Sequence, residues 1–192
     1  MPAWIETHED AEFRSKLLEA VNRLRASKTG TLLLDKMKAT EKTVEIRPWN
    51  LPSGNVSSVG GRVMLWWNPD FSVPRSPAFV MLHHELVHAL QSARGPAKDG
   101  SRIEDEAIGL GQFINDELSE NRLRRELGLP HRPSHAVLPG FSDEELSKRF
   151  LDTFEDKDFV RKRMGPRQDH PDSLFRKIDV TIPKWVEEQE KE

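Results

Sequence analysis

Residues 84–88 read His84–Glu85–Leu86–Val87–His88, an HExxH pattern. On a helix, positions i and i+4 share one face and lie about 6 Å apart along the axis. Two imidazoles at that spacing can bind one tetrahedral zinc through bonds of about 2.0–2.1 Å. Glu85 follows the first histidine, where its carboxylate reaches a water held by the metal without ligating the metal itself. There it would act as general base, because zinc lowers the pKa of its water toward about 7. The competing reading is a capped helix with a chance histidine pair. Against it, the pattern sits in an apolar helix, flanked by Phe79–Leu82 and Ala89–Leu90. Imidazoles and a carboxylate are costly to bury there without partners.

A catalytic zinc needs a third protein ligand and one open position. The metzincin extension would place Gly three residues and His six residues after His88; here those positions are Gln91 and Arg94. The deformylase solution needs a cysteine ligand, and the chain has none. A carboxylate from a following helix remains, and Glu104–Asp105–Glu106 supplies three. Glu104 shares a face with Ala107 and Ile108, the side that would pack on the HExxH helix. Asp105 points about 100° away and Glu106 about 200°. Glu104 is therefore the first choice, followed by Glu106 and Asp105, which otherwise read as a solvated first turn complementing the helix dipole.

These residues need elements to position them. The helix that carries the motif is expected over about 77–93, with Ser76–Pro77 as N-cap and first turn and Gly95–Pro96 as its stop. A first helix carries Phe13, Leu17, Val21 and Leu24, with Thr7 and Asp10 resembling a capping box and Gly30 as its stop. A short second helix covers Leu32–Met37. Val44 and Ile46 alternate with Glu45 and Arg47 as in a half-buried strand, and Arg62–Trp67 forms another. The Pro-, Gly- and Ser-rich stretch 48–61 reads as a loop or hairpin connection. Helical patterning resumes over 102–127, with breaks expected near Gly109 and Gly111. A further capped helix is expected from Ser142, and a late strand at 177–183. The whole reads as one α+β domain over 1–192, with 140–192 as a helical or irregular extension.

Composition removes several classes. The chain has 192 residues, a net charge of −3, 36% apolar and 32% charged residues. A near-neutral balance offers no footprint for nucleic acid. The absence of cysteine excludes disulfide scaffolds, Cys-zinc fingers and cysteine nucleophiles. No apolar run is long enough to span a membrane. Met1–Asp10 is acidic and leads into no apolar segment, so no Sec-type signal peptide is expected. Export by a specialised system or residence in the cytoplasm both fit that pattern, and a monomer is the default.

Three stretches, HHELVHALQSARG, IEDEAIGLG and ENRLRRELGLPHRPSH, occur in that order. Together they resemble the NleD-like effector zinc metallopeptidase family, over roughly residues 30–135. That resemblance implies a zincin-like fold with a small sheet packed on the HExxH helix. It also implies a secreted bacterial effector or toxin that cuts an intracellular signalling protein such as a kinase. By position, His84, His88 and Glu104 would ligate one zinc per chain and Glu85 would be the base. Glu104 to Gly109 also looks like the third-ligand helix of clostridial neurotoxin proteases, which carry an Arg-x-x-Tyr downstream. The matching stretch here is Arg132–Pro133–Ser134–His135. Arg132 fits the oxyanion-stabilising role. The chain has no tyrosine, so His135 would have to donate in its place, and a catalytically impaired binding module or decoy is the alternative to a peptidase.

Other residues read more plainly. His83 is expected to be a partly exposed or hydrogen-bonded histidine rather than a ligand. A second metal pair of His131 and His135 is disfavoured by Pro133 between them. Of Trp66 and Trp67, one is expected to line the core; the other would lie on an edge strand open to an extended substrate, or both would pack internally. The basic clusters at 148–149 and 161–163 read as solvated faces, and His170 as a loop residue.

Overall fold

A computed structural model describes residues 1–7, 10–49, 55–59, 62–71, 75–95, 101–134 and 139, with the backbone alone described for 55–59, 62 and 101. The described residues all belong to one compact unit, Met1–Phe150. The expected helix from Ser142 and strand at 177–183 lie outside them.

Helix α1 (Ala11–Arg25) begins where Asp10 accepts hydrogen bonds from the amides of Glu12 at 2.8 Å and Phe13 at 3.0 Å. Asp10 is thus the N-cap itself; Thr7 belongs to strand β1 (Ile5–Thr7) and not to a capping box. Phe13, Leu17, Ala20, Val21 and Leu24 form its buried stripe. Helix α2 (Lys28–Ala39) starts earlier than expected, with Ser27 as N-cap. Gly30 sits inside its first turn rather than stopping α1. A Cβ there would lie 2.2 Å from the carbonyl oxygen of Leu24, so the glycine permits the close approach of α2 to the end of α1.

Strand β2 (Val44–Pro48) and strand β4 (Arg62–Trp67) fall where alternation places them. Strand β3 (Asn55–Val59) occupies part of the stretch read as a connection; its polar Ser57 and Ser58 give no apolar alternation, and antiparallel pairing with β4 holds it. The sheet order is β1-β2-β4-β3, with β1, β2 and β4 parallel. The strand preceding the HExxH helix is therefore an inner strand, not an edge. Trp67 enters the core beside Phe13, and Trp66 is buried on the other face against Trp49, 6.4 Å between ring centres.

Helix α3 (Ala78–Arg94) carries the motif and touches α1, α2 and β4. Its start is fixed by the indole of Trp67, which donates to the carbonyl of Ala78 at 2.8 Å. Pro77, not Ser76, takes the N-cap place, and no side chain caps the helix. The hydroxyl of Ser76 instead donates to the carbonyl of Pro139 at 2.7 Å. Helix α4 (Ser101–Ile108) ends at Gly109, a single 3-10 turn follows at Gly111–Phe113, and α5 (Glu120–Glu126) is capped by Ser119. The expected breaks at Gly109 and Gly111 are thus present. Gly109 has φ +85, and a Cβ there would fall 2.5 Å from the Ser119 hydroxyl. No helix among the described residues is long and apolar enough to cross a membrane.

Candidate metal centre

His84 and His88 lie one turn apart on α3 and turn their Nε2 atoms toward the carboxylate of Glu104 on α4. The two Nε2 atoms are 3.0 Å apart. Oε2 of Glu104 stands 3.4 Å from Nε2 of His84 and 3.2 Å from Nε2 of His88. A tetrahedral zinc with bonds of about 2.0–2.1 Å separates its ligand atoms by about 3.3–3.4 Å. The three atoms therefore outline one face of such a tetrahedron, and the cluster could hold a metal ion. It is closed on the His84 side and opens toward Glu104, whose side chain is 29% exposed. Asp105 is exposed, Glu106 is half-buried, and neither joins the cluster.

The far nitrogens of both rings face side-chain oxygens. Nδ1 of His88 donates to Oε1 of Gln91 at 2.9 Å. Nδ1 of His84 stands 2.9 Å from Oε2 of Glu120, at ion-pair distance though off the line of the ring N–H. Protons placed on the outer nitrogens leave lone pairs on the inner ones, and two lone pairs face each other at 3.0 Å only with a proton or cation between them. The electrostatics say the same. Burial would lower the pKa of His84, but Glu104 and Glu120 beside it push it up to about 9. The Glu104 carboxyl, despite partial burial, is held far below its ordinary range by the two imidazoles.

Glu85 is buried next to His84, and its carboxylate makes no hydrogen bond or ion pair with a described residue. Burial raises its pKa, against the attraction of His84, His88 and Arg132. His83 is fully buried rather than partly exposed; its Nε2 bonds to the carbonyl of Leu118 at 2.8 Å, and burial lowers its pKa to about 4. It lies outside the cluster.

Behind His84 stands a polar network that spacing alone did not reveal. Glu120 is fully buried and accepts from Nε of Arg124 at 2.6 Å and from Nη1 of Arg132 at 3.0 Å. Arg124, also fully buried, donates to the carbonyl of Arg75 at 2.7 Å and to the Ser76 hydroxyl at 2.9 Å. It thereby ties α5 to the entry of α3. Asn121 clamps the backbone of Arg132, accepting from its amide at 2.7 Å and donating to its carbonyl at 2.9 Å. Arg132 is thus held beside the cluster by Glu120 and Asn121, near enough to act on Glu85. His135 lies outside the described residues. The available signal was the run Glu120-x-x-x-Arg124 directly after a Ser N-cap, which reads as an exposed helix pair until the fold buries it.

No curated protein and no solved structure matches the chain. The family model Peptidase_M91, described as effector protein, matches residues 2–135, further toward the N-terminus than the three stretches reach and over the whole of the site's described residues. The chain belongs to this family of effector peptidases, which is consistent with the NleD-like resemblance and implies a protein substrate.

Proposed function

We propose that the protein is a zinc-dependent endopeptidase that hydrolyses a peptide bond of an intracellular target protein, such as a signalling kinase, after delivery as an effector. Residues 1–192 would form one zincin-like domain with His84, His88 and Glu104 holding one zinc. The observation that carries this reading is the triangle of ligand atoms with sides of 3.0, 3.2 and 3.4 Å, its lone pairs turned inward. Membership of a peptidase family supports it independently.

Bound there, zinc would polarise the scissile carbonyl and lower the pKa of water toward about 7. Glu85 takes the proton of the attacking water on its carboxylate and passes it to the leaving amine. Its burial makes it a stronger base than an exposed glutamate, the right direction for that task. Arg132, fixed by Asn121 and Glu120, stabilises the oxyanion, and His135 supplies the second donor where related proteases use tyrosine. Hydrolysis consumes one water and yields one new carboxylate and one new amine.

The decisive experiment measures zinc in the purified wild type, His84→Ala and Glu104→Ala, and proteolysis by Glu85→Gln. One zinc per chain in the wild type, absent from both ligand variants, with proteolysis abolished by Glu85→Gln, is the expected result. Zinc kept by Glu104→Ala but not by His84→Ala would move the third ligand to Glu106 or Asp105. Full proteolysis by Glu85→Gln would overturn the mechanism. A second reading, a zincin-like decoy that binds its target without cutting it, draws on the lack of any tyrosine in the chain and on the pairing of Arg132 with Glu120. Toxicity of the expressed protein that survives Glu85→Gln would favour the decoy.

A further inference from the structure

Gln91 lies one turn beyond His88 on α3 and makes two hydrogen bonds of opposite sense. Its Oε1 accepts from Nδ1 of His88 at 2.9 Å, and its Nε2 donates to the main-chain carbonyl of Ile103 at 3.2 Å. Ile103 is the residue before Glu104, on α4. The carbonyl of Ile103 can only accept, so it fixes which way round the carboxamide sits. The orientation that satisfies Ile103 turns the amide oxygen toward His88, and that oxygen can only accept. Nδ1 of His88 must then carry the ring proton, and Nε2 keeps its lone pair toward His84 and Glu104. Reversing the amide would set two oxygens against each other at Ile103 and turn the N–H of His88 into the cluster.

We propose that Gln91 is a positioning residue that links the docking of the Glu104 helix to the tautomer of His88, so that the second and third ligands become competent together. The proposal rests on the metal reading of the site. It explains why a short helix with only two fully buried apolar side chains, Ala107 and Ile108, can hold a ligand in register: its first turn is tied by Gln91 and its last is packed in the core. Neighbours of a ligating histidine that fix its tautomer typically change metal affinity by about 10- to 100-fold when removed.

The test compares the full-length wild type with Gln91→Ala and Gln91→Glu. Zinc affinity is measured by chelator competition, geometry by the visible absorption of the cobalt(II) forms, and stability by urea unfolding of the metal-free proteins. Gln91→Ala is expected to bind zinc about 10- to 100-fold more weakly, with an altered cobalt spectrum and an unfolding midpoint close to that of the wild type. Gln91→Glu keeps the acceptor for His88 but loses the donor to Ile103, so its affinity should fall between the two. Wild-type affinity and spectrum in Gln91→Ala overturn the proposal. So does a loss of affinity that follows a matching loss of metal-free stability, which would make Gln91 a plain helix tie. Gln91→Glu binding no more tightly than Gln91→Ala also overturns it. A wild type that takes up no zinc removes the metal reading and this inference together; the other outcomes leave that reading standing.

Discussion

Replacing Glu120 with glutamine tests the physical reasoning behind the site without touching a proposed ligand. The carboxylate meets a guanidinium donor on each oxygen, Nε of Arg124 at 2.6 Å on Oε1 and Nη1 of Arg132 at 3.0 Å on Oε2, and Nδ1 of His84 stands at ion-pair distance, 2.9 Å, from Oε2. Glutamine has the same shape but one oxygen and one NH2. Whichever way it turns, the NH2 faces a donor, and two buried guanidinium groups lose a carboxylate partner. Removing one partner of a buried ion pair costs about 3–5 kcal/mol, a large part of the roughly 5–15 kcal/mol that holds a domain together. With a urea slope near about 2 kcal/mol/M, the unfolding midpoint should fall by about 1.5–2.5 M. The internal control is Glu12→Gln. Glu12 also pairs with a cation at i,i+4, Lys16 at 2.7 Å, but it is 76% exposed. Pairs of that kind contribute little, so this midpoint should stay within experimental error. Metal-free urea titrations of the two variants settle the point. A midpoint drop for Glu120→Gln below about 0.5 M, or one no larger than that of Glu12→Gln, would refute the claim that burial makes this carboxylate a structural hub.

Three further predictions come from other parts of the fold. Gly30→Ala would set a Cβ 2.2 Å from the Leu24 carbonyl; the backbone shift needed, about 1–3 kcal/mol, should exceed the roughly 1 kcal/mol that alanine gains in a helix, so a raised urea midpoint would contradict the close-approach account. Asn121→Ala removes both hydrogen bonds that clamp the Arg132 backbone, and amide exchange at Arg132 should accelerate by at least about tenfold; unchanged protection would show that Asn121 does not hold it. Burial would raise the pKa of the Glu126 carboxyl, but the amides of Thr29 and Lys28 together hold it below its ordinary range. Its stabilisation of the α2 N-terminus is therefore complete above the unfolded value near about 4.3 and is lost as pH falls through the lower folded value. The amide shifts of Lys28 and Thr29 should titrate with a midpoint below that of a free glutamate, and one at or above it would sink the assignment.

What could be read from the sequence, and what could not, follows from where the constraint lies. A metal held by one helix would impose a spacing of four on its ligands, so His84 and His88 stand out along the chain as candidates. The face shared with Ala107 and Ile108 singles out Glu104, and the structure brings that carboxylate to the histidines. The strands at 44–48 and 62–67 were legible because alternate residues enter the core. Strands β1 and β3 were not, since three residues of β1 and a polar β3 are held by pairing with β2 and β4 rather than by their own pattern. Gly30 and Ser76 were misplaced for a related reason. Their roles are contacts with the end of α1 and with Arg124 and Pro139, and a local rule for helix ends cannot register such contacts. The groups that hold the far side of each histidine divide the same way. Gln91 is three residues from His88 on the same helix, and its acceptor was open to discovery by spacing. Glu120 approaches His84 from a different helix, 36 positions along the chain, where only tertiary packing turns an ordinary Glu–Arg helix pair into the buried charge against which that ring is set. Local spacing finds candidate ligands and a partner on their own helix, whereas a partner on another helix is found only when that element passes behind.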